Sequence, residues 1–126
     1  IYYIADMHFG HKNVLRFDNR PFADTDLMDE ADSQLERARH RRRYSLCSWR
    51  RFWKNEENSV KIIQRLNGHK HLIRGNHDRV HGRLRFHWES IEQYAEINDG
   101  NTLVIMSHYP IMFYKNQHYD AVMLYG

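Results

Sequence analysis

Three clusters of polar and histidine residues each follow a short apolar run in this chain. They are Asp6-x-His8, Gly75-Asn76-His77-Asp78, and His108 within Ser107-His108-Tyr109-Pro110. Apolar runs rich in β-branched and aromatic residues predict buried strands. Ligand sites of α/β proteins tend to lie where strands end. We therefore expect an α/β fold in which the three clusters form one site.

Helix and strand signals are distributed along the chain in a mixed α and β pattern. Asp24 or Thr25 is suited to cap a helix that runs to about Arg39, with Leu27, Met28, Ala31 and Leu35 near a helical period. A second helix opens at Asn58 or Ser59 and ends at Asn67-Gly68. The predicted strands cover residues 1–5, 69–74, 94–97 and 102–106, and the last two are joined by the hairpin signal Asn98-Asp99-Gly100-Asn101.

The residue types in the three clusters are those that bind divalent metal ions. Asp6 and His8 are two positions apart, so in an extended segment their side chains point the same way and can hold one ion. Asn76 offers a neutral oxygen and His108 an imidazole nitrogen. Such mixed nitrogen and oxygen donors favour Mn, Fe, Zn or Ni over a structural thiolate zinc site. Any one cluster alone has an ordinary structural explanation, but the three in this order predict a metal site.

Length and composition limit the other classes of protein. The 126 residues suit one domain, and 41% hydrophobic residues are enough for a core. No apolar run approaches the roughly 20 residues of a membrane span. The single cysteine, Cys47, excludes an internal disulfide framework and favours a cytoplasmic location. We therefore expect a cytoplasmic protein with no membrane partner.

The three clusters resemble three of the five sequence blocks of the calcineurin-like metallophosphoesterase superfamily. The surrounding Phe9-Gly10-His11-Lys12-Asn13, Arg20-Pro21-Phe22 and Met28-Asp29-Glu30 are similar to a bacterial and phage branch of small predicted phosphoesterases. The resemblance covers residues 1 to about 31 and 52–126.

The resemblance implies a fold of two facing mixed β-sheets flanked by helices, with residues 1–126 as a single, incomplete domain. It implies a dinuclear centre of two divalent ions that hydrolyses phosphate mono- or diesters, with nucleic acid only as a possible substrate. Asp6 and His8 would bind the first ion, and Asn76 and His108 the second. His77 would be the catalytic acid and Asp78 would orient it. His11 would contact the substrate phosphate or cap its loop.

Two of the family's blocks are not found in the chain. One is a closing Gly-His-x-His block, which would begin at Gly126, and truncation is the simplest expectation. The other is a Gly-Asp block whose aspartate bridges both ions. Its place is taken by residues 32–51, which fit neither a helix nor a strand well, so we expect an irregular or helical basic segment where the family has a strand. Four ligands for two ions imply an impaired enzyme.

A compensating pair of frameshifts explains the missing Gly-Asp block. Codons for Arg42–Arg50, read one base along, permit Asp-Asp-Thr-Val-Tyr-Val-Leu-Gly-Asp, which is a strand leading into the required Gly-Asp. Leu35-Glu36-Arg37 similarly permits Trp-Asn-Ala. The hypothesis is that the frame changes near residue 31 and returns near residue 52.

Two alternatives to an impaired enzyme stay open at this point. Arginines are concentrated in one stretch of a chain with a formal charge of +3, so the segment Arg37–Arg51 could make a basic nucleic-acid-binding module. That module would bind independently of metal, with an affinity that falls steeply with salt. The other alternative is a catalytically dead member of the fold that serves as an interaction surface. The crowded arginines are Arg37, Arg39, Arg41, Arg42, Arg43, Arg50 and Arg51.

The frameshift hypothesis makes a prediction about the nucleotide sequence of the gene. Codons 35–51, read one base along, should encode a strand followed by Gly-Asp, because the bridging carboxylate is the ligand that a dinuclear site lacks here. Sequencing of the gene checks this. A shifted frame without Gly-Asp at that place would contradict the hypothesis.

Overall fold

The computed structural model describes residues 1–5, 8–38, 45–48, 56–66, 68–76, 78, 80 and 82–126. It contains seven strands, three α-helices and a 3₁₀ helix in these ranges. The strands are β1 (Tyr2–Ile4), β2 (Ser45–Ser48), β3 (Lys70–Ile73), β4 (Ser90–Glu92), β5 (Tyr94–Asp99), β6 (Thr102–Ser107) and β7 (Val122–Leu124). The helices are α1 (Lys12–Phe17), α2 (Thr25–Ala38), α3 (Glu56–Arg65) and the 3₁₀ helix Gly82–His87. The predicted mixed α/β class is confirmed.

The strands form two sheets with different pairing. Strands β1 to β4 pair in chain order, and all three pairings are parallel. In the second sheet β5 and β6 form the predicted antiparallel hairpin, while β7 pairs in parallel with β6. The expectation of two mixed sheets is therefore wrong for the first sheet. Its strands alternate with helical segments, and such crossovers return the chain in the same direction.

Strand β3 connects the two layers of the core. Side chains alternate between the faces of a strand, so Leu72 packs with Ile63 of α3 while Ile73 packs with Val104 and Met106 of β6. The first sheet thus has α3 on one face and the second sheet on the other. Parallel sheets usually need both faces covered in this way.

The expectation of an irregular or helical basic segment at residues 32–51 is confirmed where α2 continues and is wrong at Ser45–Ser48. Helix α2 continues to Ala38, and Ser45–Ser48 forms β2, which pairs with both β1 and β3. A central strand is compatible with this sequence because Ser45–Ser48 carries no charge, whereas the arginines flank it. Of the arginine cluster, only Arg37 lies within the described residues.

The helix predictions are confirmed in outline and corrected in detail. Asp24 caps α2, since its Oδ1 accepts a hydrogen bond from the Leu27 backbone N–H at 2.8 Å. Of the apolar residues near the predicted helical period, Met28 is buried, whereas Leu27 is exposed and the neighbouring Asp29 is buried. Gly68 has φ +86°, as expected of the residue that ends a helix in the left-handed region. Asn67 lies outside the described residues.

The longest helix in the described part of the chain, α2, has 14 residues, which is too short and too polar to cross a bilayer.

A hydrogen bond between Tyr3 and Asp99 links the edge strand β1 to the second sheet, and its donor is a hydroxyl group that can titrate. The Tyr3 hydroxyl donates to Asp99 Oδ2 at 3.1 Å, and burial, with this carboxylate, raises the pKa of Tyr3 above its ordinary value. Tyr3→Phe should lower the free energy of unfolding by about 1 kcal/mol near pH 8. Above about pH 10 the unfolded wild-type chain loses this proton while the folded chain keeps it, so the advantage of wild type over Tyr3→Phe should shrink.

Urea unfolding of both proteins from pH 8 to 11 measures this difference. All other titrating groups are shared by the two proteins, so their effects largely cancel. A difference that stays constant across pH 10 would contradict the role given to the Tyr3 proton.

Candidate metal centre

The site lies at the carboxyl edge of the parallel sheet. The segments that carry Asp6 and His8 follow β1, and those that carry Asn76, His77 and Asp78 follow β3. Both strands pair in parallel with β2, so their carboxyl ends lie on the same side. The sequence predicts that the clusters follow strands. The parallel pairing of β1 and β3 with β2 brings the segments after these two strands to the same edge of the sheet.

The second and third clusters meet through Asn76 and His108. Asn76 Oδ1 lies 2.9 Å from His108 Nε2, although the two residues come from different sheets. His108 is buried, and Asn76 is exposed. This pairing of an amide oxygen with an imidazole nitrogen is the one that the sequence predicted as half of a metal site.

Gly75 allows the His108 ring to approach the loop after β3. A Cβ atom on residue 75 would lie 3.2 Å from His108 Nδ1 and 3.3 Å from Asp78 Oδ2. Contacts this short require the neighbours to move. The absence of a side chain at Gly75 therefore allows the loop to pack closely against His108.

Asp78 closes the loop that carries Asn76. Its Oδ2 accepts a hydrogen bond from the Gly75 backbone N–H at 2.7 Å, and its own N–H donates to the Gly75 carbonyl at 3.3 Å. The predicted role of Asp78 was to orient His77. Because His77 lies outside the described residues, that role stays a prediction, and the observed role of Asp78 is to hold the loop backbone.

The first cluster is built around His8 and His11. His8 is buried and adopts φ +52°, and its carbonyl accepts a hydrogen bond from the His11 N–H at 3.0 Å. The two rings stack with centroids 5.3 Å apart. His11 precedes α1, and its side chain makes no hydrogen bond that caps this helix. Its role at the substrate phosphate or in its loop stays a prediction. Asp6 lies outside the described residues.

Asp29 holds this first loop from helix α2. Its Oδ1 accepts a hydrogen bond from the Gly10 N–H at 2.9 Å, and the side chain is buried. In the sequence, Asp29 stands out only as part of Met28-Asp29-Glu30, which is similar to the family branch. The signal for its role was a carboxylate on the apolar side of a helix, next to Met28.

The donor atoms fit part of a metal centre. Ligands about 2.1 Å from one ion lie roughly 3 Å apart when the ion is octahedral, so Asn76 Oδ1 and His108 Nε2 can share an ion. The same separation suits a hydrogen bond from the imidazole N–H to the amide oxygen. Within the described ranges no group of three His, Cys, Asp or Glu side chains is placed to hold an ion. The described residues thus place two donor atoms at a separation that suits either a shared ion or a hydrogen bond.

Gly75→Ala should disturb this arrangement by crowding. We expect a loss of about 1–3 kcal/mol in the free energy of unfolding and a shift in the NMR signals of the His108 ring. Gly100→Ala is the comparison, since a Cβ there meets nothing within 4 Å but Gly100 has φ +64°. It should lower stability through backbone strain and leave the His108 signals unchanged. Equal effects of the two variants on His108 would contradict the crowding.

Comparisons with known proteins support the fold without naming an activity. No family model matches the chain. Uncharacterized protein MJ1445 of Methanocaldococcus jannaschii is 30% identical over 88 residues, which are 68% of this chain and 50% of that protein. The crystal structure of AQ665 from Aquifex aeolicus, titled a protein of unknown function, superposes with a TM-score of 0.63 at 23% identity. That match covers 86% of this chain and 60% of the other. The chain thus shares a fold with AQ665 and spans about half the length of MJ1445.

Proposed function

We propose that this chain is a metal-dependent phosphoesterase domain that hydrolyses phosphate mono- or diesters and is impaired in the present form. The observation that carries the proposal is the 2.9 Å separation of Asn76 Oδ1 and His108 Nε2. These residues are 32 positions apart, and both belong to motifs that resemble metallophosphoesterase blocks. The proposal is also supported by the position of His8 after β1, at the carboxyl edge of the parallel sheet, and by the loop after β3 that Asp78 closes.

Each residue has a definite task in this proposal. Asn76 and His108 hold one divalent ion, and Asp6 and His8 hold the other. Two bound ions of this kind supply a hydroxide nucleophile and neutralise the charge of the phosphoryl group. His77 protonates the leaving oxygen. Asp78 and Asp29 are positioning residues, because they hold the backbone of the two loops.

The proposed impairment of metal binding follows from the residue types that come after β2 in the sequence. The chain there continues with Trp49, Arg50 and Arg51, in the place where the resemblance calls for Gly-Asp. An arginine near a cation site repels the ion, whereas a carboxylate attracts it. A weakly held single ion is therefore the expected state of this chain.

Metal titration tests the proposed ligands. Calorimetry with Mn²⁺ and Zn²⁺ should show weak binding that His108→Ala lowers by about tenfold or more, since one of the two ligands proposed for that ion is lost. His69→Ala is the matched control, because His69 precedes β3 and so lies toward the opposite end of that strand. Equal effects of the two variants, or metal binding unaffected by His108→Ala, would count against the site.

Restoring the carboxylate tests the activity. The double variant Trp49→Gly with Arg50→Asp should bind metal about tenfold or more tightly than the chain itself, because a negative ligand replaces a positive charge. It should also gain metal-dependent hydrolysis of an aryl phosphate. Trp49→Gly with Arg50→Asn is the control for removing the arginine without adding a carboxylate. If the Asp and Asn variants behave alike, the bridging role proposed for this position is wrong.

A further inference from the structure

Tyr109 is an exposed aromatic residue in direct contact with the candidate metal centre. It follows His108 in the chain, and its ring centroid lies 4.6 Å from that of His108, with the ring planes tilted by 56°. The His108 side chain is 8% exposed, whereas Tyr109 is 61% exposed. One side of the tyrosine ring thus contacts a proposed ligand, and most of the remaining surface faces solvent.

The segment that follows Tyr109 also exposes apolar side chains. Met112 is 81% and Phe113 is 78% exposed. Exposed apolar side chains mark a binding site where they form a contiguous patch, whereas single ones are ordinary surface. Aromatic rings provide such sites with a flat face for planar ligands.

This segment is held in place, so its rings are presented from a fixed base. The Ile111 N–H donates to Met123 Sδ at 3.4 Å, and the Tyr114 hydroxyl donates to the Ala121 carbonyl at 3.4 Å. Lys115 forms an ion pair with Glu96 of β5 at 2.6 Å. A surface that is already ordered loses less entropy when a ligand binds.

We infer that Tyr109 is a specificity-determining residue that stacks on the planar aromatic part of a phosphate ester bound at Asn76 and His108. The inference rests on the proposed function and names its substrate class. That class is nucleotides, free or at the end of a nucleic acid, rather than sugar or alkyl phosphates. The phosphate lies at the metal ligands, and the base lies one sugar away against the open face of Tyr109.

Paired ligands separate the phosphate contacts from the stacking contact. Binding of AMP and of ribose 5-phosphate is measured by calorimetry in Mn²⁺, since the two differ only in the base. AMP should bind about tenfold more tightly, in line with one stacked base. A 5′-phosphorylated tetranucleotide is the third ligand. Tighter binding of it than of AMP assigns the site to nucleic-acid ends, and tighter binding of AMP assigns it to free nucleotides.

Variants of Tyr109 identify the ring as the cause. Tyr109→Leu should lose the preference for AMP while ribose 5-phosphate binding falls far less, and Tyr109→Phe should keep the preference because it keeps the ring. Tyr119→Leu, which removes another exposed tyrosine of the same segment, should change neither affinity. Circular dichroism of each variant shows whether it is folded, and Tyr109→Phe tests the inference even if Tyr109→Leu does not fold.

The outcomes that overturn the inference are distinct from those that overturn the proposed function. Equal affinity of wild type for AMP and ribose 5-phosphate overturns the stacking role and leaves the metal site standing. An equal loss of both affinities in Tyr109→Leu assigns Tyr109 to the support of His108 and also overturns it. If neither ligand binds in Mn²⁺, the proposed function and the inference both fail.

Discussion

Strand β2 is hydrogen-bonded on both of its edges. Its residue Cys47 is paired with Ile4 of β1 on one side and with Leu72 of β3 on the other. A strand paired on both sides determines the direction and height of its neighbours. The carboxyl ends of β1 and β3 are therefore level with each other and with that of β2. All loops of the candidate centre that come from this sheet depend on that alignment.

The second sheet is positioned by packing rather than by strand pairing. Ile73 of β3 packs with Val104 and Met106 of β6, which ends at Ser107, directly before His108. His108 then reaches Asn76 across the gap between the sheets. Residue 75 is a glycine, and the absence of a side chain there leaves room for the His108 imidazole. The pairing of Asn76 with His108 thus depends on the close packing of two sheets at a glycine.

Electrostatics distinguishes this chain from a complete dinuclear site. The two ligands proposed for one ion, Asn76 and His108, are both uncharged when the imidazole is neutral, so they would offset little of the charge of a divalent ion. Carboxylates are the groups that make such sites strong. In this region one carboxylate oxygen of Asp78 accepts a hydrogen bond from the Gly75 N–H, and one of Asp29 accepts a hydrogen bond from the Gly10 N–H. The proposed impairment and the proposed gain on adding an aspartate after β2 have the same physical origin.

The sequence alone determined the elements whose pattern is local. The hairpin of β5 and β6, the Asp24 cap of α2 and the left-handed Gly68 depend on neighbouring residues, and all three were predicted. The joining of Asn76 with His108 was also predicted, but only because the motifs resemble those of a known family. Only the tertiary structure decided that Ser45–Ser48 forms a central strand, since four residues with weak strand propensity become a strand when both edges find partners. It likewise decided the packing role of Gly75, because that role depends on a contact with His108, more than 30 positions away. The exposure of Tyr109 also had to come from the structure, because the fold determines which side of the segment after β6 faces solvent.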